Sequence, residues 1–256
     1  MSQHKNITIL KIGGSVITDK SSDIGKVQIE EIERICQEIS GYSNDLIIVH
    51  GAGSYGHPLA KKYDLDNIPD PKGAIITHSS VKSLNEIMVS SLQKAGIDAV
   101  SVHPLNNTVS NDGRISDMFL SNIHIMLENG LVPVIHGDVV MDITNTFSVI
   151  SGDQIVSYLA NKLKASRVGI GSIEDGVMDN KGKTLTKITS SNFKEIEKFL
   201  GVSKNTDVTG GMLGKVNELL QLCEITGATS YIFNAKKPNN ISYFLSGHNI
   251  GTAIKK

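Results

Sequence analysis

The chain has almost no net charge, only two cysteines, no tryptophan and no long apolar run. A formal charge of −1 at a sequence pI of about 6.7 provides no global basic field, so nothing argues for nucleic acid as a partner. Cys36 and Cys223 stand far apart in helix-compatible segments, which excludes a disulfide framework and suits a reducing, cytoplasmic setting. No apolar stretch approaches the ~18 residues of a membrane span. Lys5 is followed at once by a short strand and a glycine loop, so no signal peptide is expected. No group of His, Cys, Asp or Glu has metal-ligand spacing. A Walker A loop is missing too: Gly176 to Gly182 has one residue too many before Lys183-Thr184, and Gly25-Lys26 lacks the upstream glycine and the following hydroxyl. There is no internal repeat, low-complexity tract or clean linker. The 256 residues suffice for one large domain or two intimate lobes.

What is present alternates. Ile7 to Ile12, Leu46 to Val49, Ala99 to Val102, Leu131 to Ile135, Ser166 to Gly171 and Tyr231 to Phe233 read as short buried strands. Between them, Val27 to Ser40, Ile75 to Ala95, Met118 to Glu128, Ser151 to Leu163 and Gly210 to Thr226 carry helix-compatible patterns. Hairpins are expected around Asn111-Asp112-Gly113 and between Val139–Met141 and Phe147–Val149. Residues 172–206 read as polar loop. This order predicts an α/β fold with a largely parallel sheet and a soft boundary near residue 165.

Glycine-rich turns supply the chemistry. His50-Gly51-Ala52-Gly53-Ser54-Tyr55-Gly56-His57-Pro58 leaves a buried strand, and such a turn aims backbone N–H groups at an anion. Its spacing fits G-x-G-x-x-G, but it follows the second strand, and the nearest candidate for the acidic residue expected about 20 positions on, Asp70, sits between two prolines; a nicotinamide site does not follow. Lys11-Ile12-Gly13-Gly14-Ser15 sets a lysine in an apolar strand against a double glycine. Buried, that lysine needs an anion, although a strand-end lysine also snorkels to solvent. Ser151-Gly152-Asp153 reads as a helix N-cap. Asp207 to Lys215 forms a third glycine cluster, with Lys215 in the first turns of a helix, where a cation opposes the macrodipole unless it faces an anion. His50 and His136 read as core histidines.

Together these motifs resemble the amino acid kinase superfamily, and most closely its isopentenyl phosphate kinases, nearly end to end. The likeness also takes in Lys20, Val134 to Asp138, Ile150 to Asp153 and Gly251-Thr252; the Gly56-His57-Pro58 ending is its most specific part. The resemblance implies a three-layer αβα sandwich over a mainly parallel sheet, a single domain of residues 1–256. An acceptor lobe would run to about 165 and an ATP lobe from about 166. It implies ATP-dependent phosphorylation of isopentenyl phosphate to isopentenyl diphosphate in isoprenoid biosynthesis by an alternate mevalonate route, with Mg²⁺ accompanying ATP, in a homodimer.

By the same resemblance Lys11 bridges the transferring phosphoryl group, Lys20 stabilises its charge, and Asp153 orients the lysines. Ala52, Gly152 and His57 hold the acceptor, while Gly13, Gly14, Ser15, Gly53, Gly211 and Lys215 hold ATP. Two departures stand out. Ala52 replaces a glycine common in relatives, which is tolerable if its φ is negative. Ile173 stands where relatives carry an aspartate, so nucleotide-base contacts there differ. An open apolar pocket for the acceptor tail is expected along Ala74, Ile75, Val81, Leu84 and Met88. The competing readings are a kinase of another small phosphate or phosphonate such as fosfomycin, and a non-catalytic nucleotide-binding sensor or storage protein.

Overall fold

The computed structural model describes residues 6–19, 25–42, 44–200 and 211–256. Among them the strands are β1 Thr8–Ile12, β2 Leu46–His50, β3 Ala99–Val102, β4 Thr108–Asn111, β5 Arg114–Met118 and β6 Val132–His136. They continue as β7 Asp138–Asp142, β8 Thr146–Ile150, β9 Arg167–Ser172, β10 Lys187–Ile188, β11 Thr229–Asn234 and β12 Thr252–Ile254. The helices are α1 Gly14–Ile17, α2 Ile29–Ile39, α3 His57–Lys62, α4 Pro71–Lys94 and α5 Pro104–Asn107. After these come α6 Leu120–Glu128, α7 Gly152–Leu163, α8 Ser190–Leu200, α9 Gly211–Thr226 and α10 Asn240–Leu245.

An eight-stranded sheet runs in the order β10-β12-β11-β9-β1-β2-β6-β3, parallel except where β11 meets β12. Side chains alternate across it. Ile9, Ile47, Val49, Val168 and Ile170 face a cluster that includes Val156, Leu159 and Leu163 of α7 and Val216 and Leu219 of α9. Leu10, Ile12, Leu46, Ile48 and Val134 face the opposite way, onto Ile32, Ile35 and Ile39 of α2 and Leu84, Met88 and Leu92 of α4. Helices on both faces of a mainly parallel sheet make the expected three-layer sandwich. The same alternation puts Lys11 on the face that carries α7.

A smaller sheet, β5-β4-β7-β8, caps one end. Its anchor is Asp142, whose carboxylate accepts from the Ser110 and Ser148 hydroxyls at 2.7 and 2.8 Å and from the Gly113 amide at 2.9 Å. Burial works against that charge, but these hydrogen bonds outweigh it and hold the group below the usual carboxylate range.

Several elements depart from the sequence reading, four of them informatively. The region 172–206 contains β10 and α8, because Phe193, Ile196 and Leu200 recur at helical spacing and Ile196 and Leu200 are buried. Helix α10 closes over Ile241 and Phe244. Helix α4 starts four residues earlier than expected: Pro71 takes the first helical position and the Asp70 carboxylate caps the Lys72 amide at 2.9 Å. Asp70→Ala should lower stability by about 1 kcal/mol, seen as a lower urea midpoint. Turnover per folded molecule should stay unchanged, since the cap lies away from the cleft described next.

Candidate active site

The carboxyl ends of β1, β2, β6 and β9 open into one cleft of about 440 Å³. Ligands of open α/β sheets gather at such edges. The loops after β1 and β2 pack directly on each other. A Cβ on Gly14 would land on the Gly53 nitrogen, and one on Gly51 would come within 2.6 Å of the Gly14 nitrogen. Thr18 ties the two loops: its hydroxyl donates to the Gly14 carbonyl at 2.8 Å and accepts from the Ser54 amide at 3.0 Å. Gly53 adopts φ +53°, a conformation glycine takes without penalty, whereas Ala52 keeps φ −70° and bears its methyl unstrained.

At the centre, Lys11 is buried and its Nζ lies 2.8 Å from Asp153 Oδ1. Asp153 stands in the first turn of α7, whose N-cap Ser151 accepts from the Gln154 amide at 3.2 Å. From the other side, Lys215 of α9 brings its Nζ to 3.8 Å from Asp153 Oδ2. Burial alone would push the Asp153 carboxyl up, but the charges of Lys11 and Lys215 and their hydrogen bonds win and hold it below the usual range. Asp153 is thus a fixed anion between two cations, with no readiness to accept a proton.

The described residues given a role at the phosphates by the sequence all line this cleft: Lys11, Gly13, Gly14, Ser15, Ala52, Gly53, His57, Gly152, Asp153, Gly211 and Lys215. Lys20 and the segment Asp207–Gly210 lie outside the described residues. Two amides converge at the cleft floor. A Cβ added to Gly137 would sit 3.2 Å from the Gly152 nitrogen, 3.3 Å from the Ile150 carbonyl oxygen and 3.8 Å from the Ala52 nitrogen, so a side chain at 137 would crowd the backbone that lines the cleft. Two helix N-termini, those of α7 and α9, face the same volume and add partial positive charge. Among the described residues, no group of three or more His, Cys, Asp or Glu side chains is placed to hold a metal.

The apolar end of the cleft corrects the sequence reading. Of the five residues expected to line it, only Val81 does; Leu84 and Met88 are in the core beneath, Ala74 packs in a side cluster with Leu65, and Ile75 is 63 % exposed. The wall is built instead from Ala60, Thr77, Val81, Val139 and Val149, which come from α3, α4 and the smaller sheet. At the opposite end Ile173, Met178 and Met212 line the cleft, and Ile173 and Met178 are partly exposed apolar side chains. Helical spacing could not assign the α4 face, and the hairpin residues carry no local signal of their position.

The amino acid kinase family profile matches residues 6–234. An isopentenyl phosphate kinase of Methanothermobacter thermautotrophicus is 42 % identical, over 96 % of this chain and 98 % of its own length. One from Methanocaldococcus jannaschii is 39 % identical, over 97 % and 98 % respectively. A solved isopentenyl phosphate kinase structure superposes with a TM-score of 0.84 at 37 % identity, covering 98 % of this chain and 100 % of the other. The chain belongs to the amino acid kinase family. Within that family its place is among the isopentenyl phosphate kinases.

Behind the glycine loops, His50 and His136 are fully buried, as the sequence suggested. Burial lowers the His50 imidazole from 6.5 to about 4, partly opposed by its hydrogen bond to the Gly51 carbonyl and assisted by His103. His136 is likewise pushed well down by burial and by His50. Both are neutral when folded but protonate when unfolded below about pH 6.5, so acid favours the unfolded chain. Stability should be constant above that pH and fall as pH drops from about 6.5 towards 4, by up to about 3 kcal/mol for His50 alone. Urea midpoints measured across this window check it; a flat profile down to pH 4.5 would contradict the buried neutral pair.

Proposed function

We propose that this chain transfers the γ-phosphoryl group of ATP to the phosphate of isopentenyl phosphate, giving isopentenyl diphosphate and ADP. One observation carries the reading. A single cleft holds Lys11, Asp153 and Lys215 in a charged line, with amide-lined glycine loops beside it and an apolar pocket at one end. The relatives reported above are isopentenyl phosphate kinases. A solved isopentenyl phosphate kinase substrate complex, 26 % identical, aligns with 97 % of this chain and 100 % of its own at a TM-score of 0.77.

Phosphoryl transfer rests on alignment and charge neutralisation. The acceptor is already a phosphate oxygen, so no general base is required, and Asp153, held by two lysines, offers none. On this reading Asp153 orients Lys11 and Lys215. Lys11 bridges the donor and acceptor phosphates, and Lys215, Gly211, Gly53 and the Gly13-Gly14-Ser15 turn hold the ATP phosphates. Ala52 and Gly152 give N–H groups to the acceptor phosphate, and His57, at the pocket mouth, donates to the same group. Lys20 stabilises charge on the moving phosphoryl group. The prenyl tail lies along Ala60, Val81, Val139 and Val149.

The acceptor lobe would run to about residue 165 and the ATP lobe from about 166, with Gly13, Gly14, Ser15 and Gly53 of the first lobe reaching across to the ATP phosphates. Mg²⁺ would accompany the nucleotide phosphates and help neutralise their charge. The protein is read as a cytoplasmic homodimer. Sedimentation equilibrium measures the oligomeric state.

A coupled assay of ATP with isopentenyl phosphate, dimethylallyl phosphate, geranyl phosphate and fosfomycin tests the assignment. Isopentenyl phosphate should give the highest kcat/KM; preference for fosfomycin, or no turnover with any acceptor, sinks it. His57→Ala should lower kcat/KM for isopentenyl phosphate by about 100-fold while ATP binding persists, as expected for a charge-assisted phosphate contact. Lys20→Ala should lower kcat more than it raises either KM, because its contact strengthens in the transition state.

A further inference from the structure

His50 and His136 stand opposite one another in the register of β2 and β6, and each is followed by a glycine that lines the cleft. His50 Nδ1 lies 3.0 Å from the Gly51 carbonyl oxygen, and His136 Nδ1 lies 3.1 Å from that of Gly137. A carbonyl can only accept, so each Nδ1 carries the proton. The far nitrogen of His50 agrees. Asn85 Nδ2 donates to His50 Nε2 at 3.1 Å and to the Val134 carbonyl at 3.3 Å. Turning that amide over would set its oxygen against the Val134 oxygen, acceptor against acceptor. Asn85 is itself fully buried, so its orientation is decided by these partners and not by solvent.

The Gly51 carbonyl and the Ala52 N–H are opposite ends of one trans peptide plane, so fixing one aims the other. Gly51 has no Cβ to resist rotation of that plane. On one side Gly51 is held where its N–H donates to the Ile12 carbonyl at 2.9 Å, and on the other the His50 ring bonds its carbonyl directly. We infer that His50 is a positioning residue for the acceptor phosphate: its Nδ1–H clamps the Gly51 carbonyl and keeps the Ala52 N–H pointed into the cleft. Asn85 fixes the tautomer that makes this clamp available. The inference rests on the acceptor role given to Ala52 above. His136, its Nε2 met by His103 Nδ1 at 2.9 Å, repeats the arrangement one strand away.

Substitutions separate a clamp from plain packing. His50→Asn loses ring volume but keeps an N–H near the Nδ1 position; His50→Gln puts its amide near Nε2; His50→Phe keeps the ring without either nitrogen. In the full-length chain, His50→Asn should hold the acceptor KM within about threefold of the unsubstituted protein, while Gln and Phe raise it about tenfold or more, the worth of one aimed hydrogen bond. The KM for ATP should stay within about twofold throughout. A KM order that follows ring volume, with Phe milder than Asn, overturns the clamp. Asn85→Leu leaves His50 in place and carries the test if the His50 variants do not fold. It should raise the acceptor KM alone by about threefold or more, and no rise overturns the inference.

If the unsubstituted protein does not turn over isopentenyl phosphate, the functional reading fails separately. The clamp is then read from the Ala52 amide in ¹⁵N-alanine-labelled protein titrated with inorganic phosphate. That resonance should move in the unsubstituted chain and in His50→Asn but not in His50→Phe; equal movement in all three overturns it.

Discussion

The buried pair of Lys11 and Asp153 is the constraint from which the site is built. An ammonium on the inner face of a parallel sheet is tolerable only beside an anion, and the 2.8 Å contact with Asp153 provides it. Asp153 reaches that point because α7 begins where it does, behind the Ser151 cap. Lys215 then adds a second cation to the same carboxylate. The outcome is a net positive line with its geometry set before any ligand arrives, which is what electrostatic preorganisation requires.

Around that line the main chain supplies most of the remaining donors. Loops after β1 and β2 and the starts of α7 and α9 aim amides at one volume, so binding of phosphate depends on backbone placement more than on side-chain choice. This explains why the clustered residues are glycines and why two apparently inert histidines lie directly beneath them. Side chains dominate the lining elsewhere in the cleft, with His57 and the valines of the smaller sheet in one part and Ile173 and Met178 in another.

Much of this was legible in the chain itself. Alternating strands and helices predicted the layered sheet, and a lysine before a double glycine, two further glycine clusters and a serine cap marked four of the segments that converge, though not those after β6 and β9. Residue types with a single strong reason to be where they are read well. The long helix α4 did not: packed against the sheet on one side and the cleft on another, it has apolar residues on several faces, and spacing alone could not separate Val81 from Leu84 and Met88. Helix α8 was hidden because its few apolar residues are diluted by charge. The histidines were read as core, which their burial bears out, but their hydrogen bonds to the next carbonyl depend on ring orientation, which no pattern of residue types reveals.

The contact between Gly14 and Gly53 limits how this protein can vary. Glycine is the smallest residue, so no second replacement at either position could make room for a side chain at the other. Relief would have to come from moving the main chain, and the main chain here is the ligand-facing surface. The two loops therefore behave as one inherited part: neither can be exchanged, lengthened or retuned without its partner. Variation in what the cleft accepts is left to the walls at its two ends.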